Sequence, residues 1–577
     1  MNAAALPLAF GHARELFGWL HPSASPSPVV TVLCSAFGNE EVFSHRAVRH
    51  LAQAIARSGM PALRFDYHGT GDSAGDELAP GRVAAWVESV HLAIDAARRH
   101  TGATRVCLLG VRLGSALATL AAASRDDIVG LVAIAPVVQG RAHVREMKLA
   151  HMSRQDVADA PTVPVDGLLD TSNFVLQHEA LADMAKIDLR SIARPPAPHM
   201  LLIERDDLPA APQWGEHCAA LGARLTRCAV PGYAELMAGQ SISQRLPSAL
   251  IERVADWLAE VRNDIPTADA GPVFAIDTRL AAAAGVLEEP VHIDAGATTL
   301  FGLLSTAADV TARPRSAVLM LPAGVGRHIG QGRVYVELAR ELAAAGHMVL
   351  RLDLSGLGES PARPGLHENS VYERSALDDV AAAMRFLSER SGGLDCHVVG
   401  HCSGGYNALR HLARGGRAAQ LIYLNPQLYS ELDRLGIVGT PDQPVSSRAA
   451  DASSWRHRVW RLAHRAVWRV AHRAAGRFRA ELRVLAERGT PVHFIFGSMQ
   501  STEWSLRRQA GRTLLTLIER GALTITPLPG ADHILSRYQD RHMLRQRVRE
   551  LIEAPARAAS PAPQGSRWRW GPRPAIF

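Results

Sequence analysis

Short runs of consecutive apolar residues recur along this chain, separated by longer segments in which apolar positions return every third or fourth residue. Strand-like runs include His199 to Ile203, Cys396 to Val399, Val492 to Phe496 and Leu523 to Thr526. Between such runs lie Ala, Leu and Arg-rich segments of helical period, such as Val334 to Ala345 and Val380 to Ser388. A strand that is apolar throughout must be covered on both faces, and helices in its connections supply the cover. The pattern predicts an α/β fold of mostly parallel sheets flanked by helices.

The pattern occurs twice, in register. Leu16-Phe17-Gly18 returns as Leu300-Phe301-Gly302, and the segment Leu63 to Ser73 returns as Leu350 to Ser360. Ala135-Pro136 then matches Asn425-Pro426, and Pro231-Gly232 matches Pro529-Gly530. The offset between partners grows slowly along the chain, as small loop insertions in a tandem duplication produce and a short-period solenoid does not. We therefore expect one domain over 1–265, a linker rich in Ala, Gly, Asp and Pro over 266–290, a second domain over 291–554 and a flexible Pro, Arg and Trp-rich tail over 555–577.

Each half carries one sharp turn between a strand-like run and a helical one. In the second half it reads Gly400-His401-Cys402-Ser403-Gly404; in the first, Gly110-Val111-Arg112-Leu113-Gly114. A Gly-x-nucleophile-x-Gly turn exposes its central side chain at the start of the helix, and the glycines are needed because a Cβ would strike neighbouring backbone. Cys402 is a usable thiol nucleophile. Arg112 is never deprotonated at ordinary pH and cannot attack a carbonyl.

These turns, the Arg-x-Asp-x-x-Gly-x-Gly segments and the Pro-Gly ending make the chain resemble the α/β-hydrolase superfamily, once per half. More narrowly, Cys34 to Ser73 and Ala323 to Ser360 resemble serine-aminopeptidase-like hydrolases that accompany exosortase and exopolysaccharide clusters. A Cys nucleophile departs from their usual Ser and is similar to dienelactone hydrolase. The resemblance implies two tandem α/β-hydrolase domains, the second with a helical cap at about 430–488. It places the base at His533, after the last strand, and the oxyanion donors at Ser403 and at the turn of Ala323 and Gly324. Asp532 beside the base reads as a helix cap. The first carboxylate after Val492 to Phe496 is Glu503, our candidate third member, with Asp433 as the weaker alternative. A helix start and a nearby imidazole are expected to lower the Cys402 pKa. Arg327 and Arg333 follow the turn of Ala323 and Gly324 and are candidates either for holding a phosphate or carboxylate of the substrate or for a solvated place at a helix start.

In the first half Arg112 replaces the nucleophile and Glu235 the histidine, with Asp206 and Asp207 where an acid would stand. A degenerate site follows, and we expect Arg112 and Glu235 to form an ion pair.

Charge adds one local feature. The whole chain carries a formal +7, but Asp451 to Arg488 alone supplies ten Arg against three acids. Within it Trp460, Val467 and Phe478 share one helical face, and Arg458, Arg461, Arg465, Arg469 and Arg473 the other. The leading reading is a cap with its apolar face over Cys402 and its arginines toward solvent or an acidic acyl carrier protein; the rival is a basic helix on an anionic membrane. No nucleic-acid-binding module accompanies the charge. With 577 residues, 47% hydrophobic and 21% charged, the composition is that of a soluble globular protein. The six cysteines have neither disulfide nor zinc spacing. Without an N-terminal signal pattern, a cytoplasmic protein is expected. Taken together, the residues point to hydrolysis of an ester or thioester of a small or carrier-bound acyl group, with no metal or cofactor. An acyltransferase using the same acyl-enzyme and a scaffold with two inactive domains are the alternatives.

Overall fold

The computed structural model describes residues 4–155, 167–171, 173–205, 212–237, 244–266, 271, 273–309, 311, 313–426, 476–497 and 500–554. Two large sheets organise them. The first contains β1 (Leu6–Phe10), β2 (Leu16–His21), β3 (Val29–Cys34), β4 (Ala62–Phe65), β5 (Arg105–Val111) and β6 (Ile128–Ile134). A small separate hairpin of β7 (Leu168–Asp170) and β8 (Val175–Gln177) follows, and β9 (His199–Ile203) and β10 (Arg224–Cys228) complete the first sheet in the order β1-β2-β4-β3-β5-β6-β9-β10.

The second sheet has β11 (Leu280–Ala283), β12 (Val286–Asp294), β13 (Thr299–Ala307), β14 (Ala317–Leu321), β15 (Met348–Leu352), β16 (Cys396–His401), β17 (Gln420–Leu424), β18 (Val492–Gly497) and β19 (Leu523–Leu528). Its order, β11-β12-β13-β15-β14-β16-β17-β18-β19, repeats the crossover of the first. In both, the opening strands pair antiparallel and everything from β4 or β15 onward is parallel. The central strands are buried along their whole length, which is why they read as unbroken apolar runs.

The repeat extends to individual hydrogen bonds. The Asp66 carboxylate accepts the Asp72 N–H at 2.8 Å, and Asp353 accepts the Glu359 N–H at 2.9 Å. Ser73 and Ser360 each donate to the carbonyl of that aspartate and accept the N–H of Phe17 or Phe301. Gly71 and Gly358 turn the chain with φ of 48° and 53°, and a Cβ on either would lie about 2 Å from the same carboxylate, so glycine is required.

The two halves pack through their antiparallel edges. Ala9, Phe17 and Trp19 form one apolar cluster with Leu280, Val286, Phe301 and Leu303, and the Trp19 and Phe301 rings meet edge to face at 4.7 Å. Beside it lie crossed ion pairs. Arg64 of β4 donates to Glu359 at 2.8 Å, and Arg351, its counterpart in β15, donates to Asp72 at 2.6 Å and to Glu288 at 2.9 Å. His328 stands between Asp72 at 2.7 Å and Asp353 at 2.8 Å. Burial opposes its charge, but the carboxylates of Asp353 and Asp72 prevail and raise it to about 10.

One boundary needs correction. The second sheet begins at Leu280, inside the stretch expected to be a linker. An alanine run gives β11 little strand signal, and Gly285 turns it tightly into β12. The residues just before β11 lie along the first half, where the Phe274 N–H donates to the Arg99 carbonyl and the Arg99 guanidinium covers the Phe274 ring at 4.8 Å.

Candidate active site

Cys402 stands between β16 and the helix Ser403–Ala413, at the C-terminal end of a parallel strand. Its backbone has φ 48° and ψ −110°, a conformation a non-glycine residue holds only when its surroundings impose it. They do so here. A Cβ on Gly400 would lie 2.5 Å from the Gly405 Cα, and one on Gly404 would lie 2.5 Å from the Leu321 carbonyl oxygen. The Cys402 N–H is anchored to the Leu424 carbonyl at 2.9 Å.

The thiol is buried, and its electrostatics differ from the sequence expectation. Burial pushes it up to about 11, against which the Tyr372 hydroxyl and the Ser403 N–H act in the lowering direction. The helix start therefore does not produce a resting thiolate: loss of hydration outweighs it. The His533 ring is likewise moved below its ordinary value by burial, with Asp532 opposing, and so is held neutral.

His533 lies in the loop after β19. Its carbonyl accepts the Asn425 side-chain amide at 2.6 Å and faces His401 Nε2 at 3.3 Å, and its ring centre is 6.1 Å from that of His401. Asn425 also accepts the Gly497 N–H at 2.9 Å, tying the ends of β17 and β18 to the histidine loop. Among the described residues, no hydrogen bond joins the His533 ring to the Cys402 sulfur. Asp532 accepts the Ser536 N–H at 2.8 Å, a turn bond ahead of the helix Tyr538–Glu553.

The turn after β14 faces the elbow. The Gly324 N–H donates to the Ser403 hydroxyl at 2.7 Å, so two of the expected oxyanion residues hold each other, with Ala323 beside them closing a tight turn with Gly326. Glu503 falls within the helix Gln500–Glu519, and its side chain lies outside the described residues. Asp433, Trp460, Val467 and the five arginines of the expected cap lie outside them too. Phe478, expected on the apolar face above Cys402, instead stacks on Phe494 of β18 in the core, so the described end of that segment is a helix covering the sheet.

Arg327 and Arg333 are not available to a substrate anion. Arg327 is bound through one guanidinium nitrogen to both carboxylate oxygens of Glu41, at 2.9 Å each, and Arg333 donates to the carbonyls of Gly69, Gly71 and Ser73. Both are buried against the first half. The sequence could not expose this, because each partner lies more than 250 positions away.

In the first half the elbow is intact but its occupant is changed. Arg112 has φ 53° and ψ −119° and bonds Glu40 at 2.7 Å and Glu146 at 2.6 Å. This corrects the expected pairing with Glu235, which lies in the short helix Tyr233–Leu236. Glu40, in the first turn of the helix Asn39–Arg57, reaches the guanidinium first. Asp206 and Asp207 lie outside the described residues. A cleft between the halves is lined by Phe37, Tyr67 and Phe174 of the first and Ile329 and Arg333 of the second, among others, and by no residue of either elbow.

Three contributors had not been singled out. Tyr372 lies in an irregular loop with no motif, His401 is a variable elbow position, and Asn425 had served only to align the repeats. The positive φ of Asn425 (43°) and of its counterpart Ala135 (45°) was the structural signal they shared. Among the described residues no group of His, Cys, Asp and Glu is placed to hold a metal, and no helix is long and apolar enough to cross a membrane.

Comparison with known proteins bears on the chain twice over. The family model described as serine aminopeptidase, S33, matches residues 43–197 and 312–523, together well over half of the chain. Similar solved structures include Est1E from Butyrivibrio proteoclasticus with bound ferulic acid (17% identity, 45% of this chain and 97% of that one, TM-score 0.32). An esterase, Pf2001, from Pyrococcus furiosus (15%, 46% and 92%, 0.31) and a dienelactone hydrolase from Anabaena variabilis (14%, 46% and 96%, 0.31) are others. No curated protein matches.

Proposed function

Because this chain belongs to the serine aminopeptidase S33 family of α/β-hydrolases, with two copies of the fold, we propose that its second copy hydrolyses an ester or thioester through an acyl-enzyme on Cys402. The observation that carries the reading is the side chain at the elbow. Cys402 replaces the serine for which the family is named, in a turn that surrounding backbone and the Cys402 N–H bond to Leu424 maintain.

The chemistry follows from the groups at hand. At rest both thiol and imidazole are neutral, so the base is already in its proton-accepting form. When substrate enters, the Cys402 proton passes to a ring nitrogen of His533, directly or through one water, as the sulfur bonds to the carbonyl carbon. The carbonyl oxygen takes the negative charge and is met by the Ser403 N–H, and by the Gly324 N–H once the Ser403 hydroxyl turns away. Collapse breaks the bond to the leaving group, which takes the proton from the imidazolium. Water, deprotonated by the same imidazole, then cleaves the thioester and returns the thiol. A peptide bond is a poorer substrate because its amine is harder to expel.

A burst of product from an activated ester, with the acyl group trapped on Cys402 by mass spectrometry, tests this. Undiminished turnover by Cys402→Ala would end it.

A further inference from the structure

The second copy's oxyanion turn is held by the first copy. β14 ends at Leu321, and the turn through Ala323 and Gly324 closes with the Gly326 N–H on the Ala323 carbonyl. On its inner side it is tied to the elbow by the Gly324 to Ser403 bond. On its outer side the next residues, Arg327 and His328, are seized by the other domain: Arg327 by Glu41, and His328 by Asp72 together with its own Asp353. Only Val325 and Gly326 separate Gly324 from Arg327 and its Glu41 ion pair, so movement of Arg327 is transmitted to the amide that must meet the oxyanion.

Glu41 is itself well fixed. It sits in the first turn of Asn39–Arg57 beside Glu40, and Glu40 is held by Arg112 at the degenerate elbow. One turn of helix thus joins the altered site of the first domain to the oxyanion turn of the second.

From this geometry we infer that Glu41 is a positioning residue for catalysis in the other domain, acting through Arg327 to place the Gly324 N–H. The inference rests on the acyl-enzyme reading above. The first domain then contributes to turnover without a reacting group of its own.

The test is Glu41→Gln, which keeps the shape and removes the charge, in the full-length protein. With a p-nitrophenyl ester as probe, the burst rate should fall by about tenfold to a hundredfold, part of what a lost oxyanion donor costs, while KM changes by less than about twofold. Alkylation of Cys402 by iodoacetamide should keep its wild-type rate and pH profile, because the thiol and its neighbours are untouched. Glu41→Asp, which shortens the reach but keeps the charge, should recover part of the burst rate. An unchanged burst rate in folded Glu41→Gln overturns the inference, and so does a parallel fall in burst and alkylation rates, which marks general damage. Wild-type protein without Cys402-dependent turnover would take down the acyl-enzyme reading and this inference with it; turnover indifferent to Glu41 takes down this inference alone.

Discussion

Arg112 and Cys402 hold the same backbone conformation, φ 53° and ψ −119° in one and φ 48° and ψ −110° in the other, although only one of them carries a nucleophile. A strained turn of this kind costs on the order of 1 to 3 kcal/mol and persists only where its surroundings over-determine it. In the second domain the strain presents a thiol. In the first it presents a guanidinium to Glu40 and Glu146.

Replacing that guanidinium should therefore destabilise the first domain. Arg112 is buried but Glu146 is half exposed, so Arg112→Met should cost about 2 kcal/mol, between the values for buried and exposed pairs. Denaturant unfolding measures this, and a loss below about 0.5 kcal/mol would contradict it.

The thiol at Cys402 should behave as a weak acid. With burial holding it near 11, its iodoacetamide alkylation rate should rise roughly tenfold per pH unit from 7 toward 10, with no plateau near neutrality. Because the Tyr372 hydroxyl favours the thiolate, Tyr372→Phe should slow alkylation at every pH in that range. A plateau between pH 6 and 8 would instead reveal a resting thiolate and imidazolium pair.

A methyl group at Gly404 should disrupt the site. The added Cβ would lie 2.5 Å from the Leu321 carbonyl oxygen and 2.6 Å from that of Pro322, where backbone must yield. Gly404→Ala should lower kcat by about a hundredfold, the scale of an ångström's misplacement, and steady-state kinetics would register it.

His328 makes stability depend on pH in the alkaline direction. Its pKa is raised from 6.5 to about 10 in the folded protein, so its contribution is whole below about pH 6.5, shrinks as pH rises, and is lost once pH passes about 10. The melting temperature should fall across that window, and His328→Gln should flatten the decline. An equal slope in both proteins would refute the assignment.

What the sequence disclosed was local. The apolar runs of β14, β16 and β18 announced a buried parallel sheet, and the glycines flanking Cys402 and Arg112 announced the elbows because their spacing around the central residue is itself a local pattern. What it withheld was long-range. Arg327 and Arg333 follow the turn after β14 as ligand-binding arginines would, yet their partners belong to the other domain. Arg112 passed over Glu235 because Glu40, on a helix packed against the elbow, lies within 2.7 Å. Tyr372 reaches the sulfur from a loop whose course no periodicity describes.

The crossed pairs of Arg64 with Glu359 and Arg351 with Asp72 have the form of an isologous contact, in which residue i of one copy meets j of the other and j meets i. Such a contact is what two identical chains make about a twofold axis. Joined head to tail, this protein is in effect a homodimer on a single chain, and fusion releases its halves from having to be identical. One half can then carry a guanidinium at its elbow, as at Arg112, and the other a thiol, while the contact between them is kept.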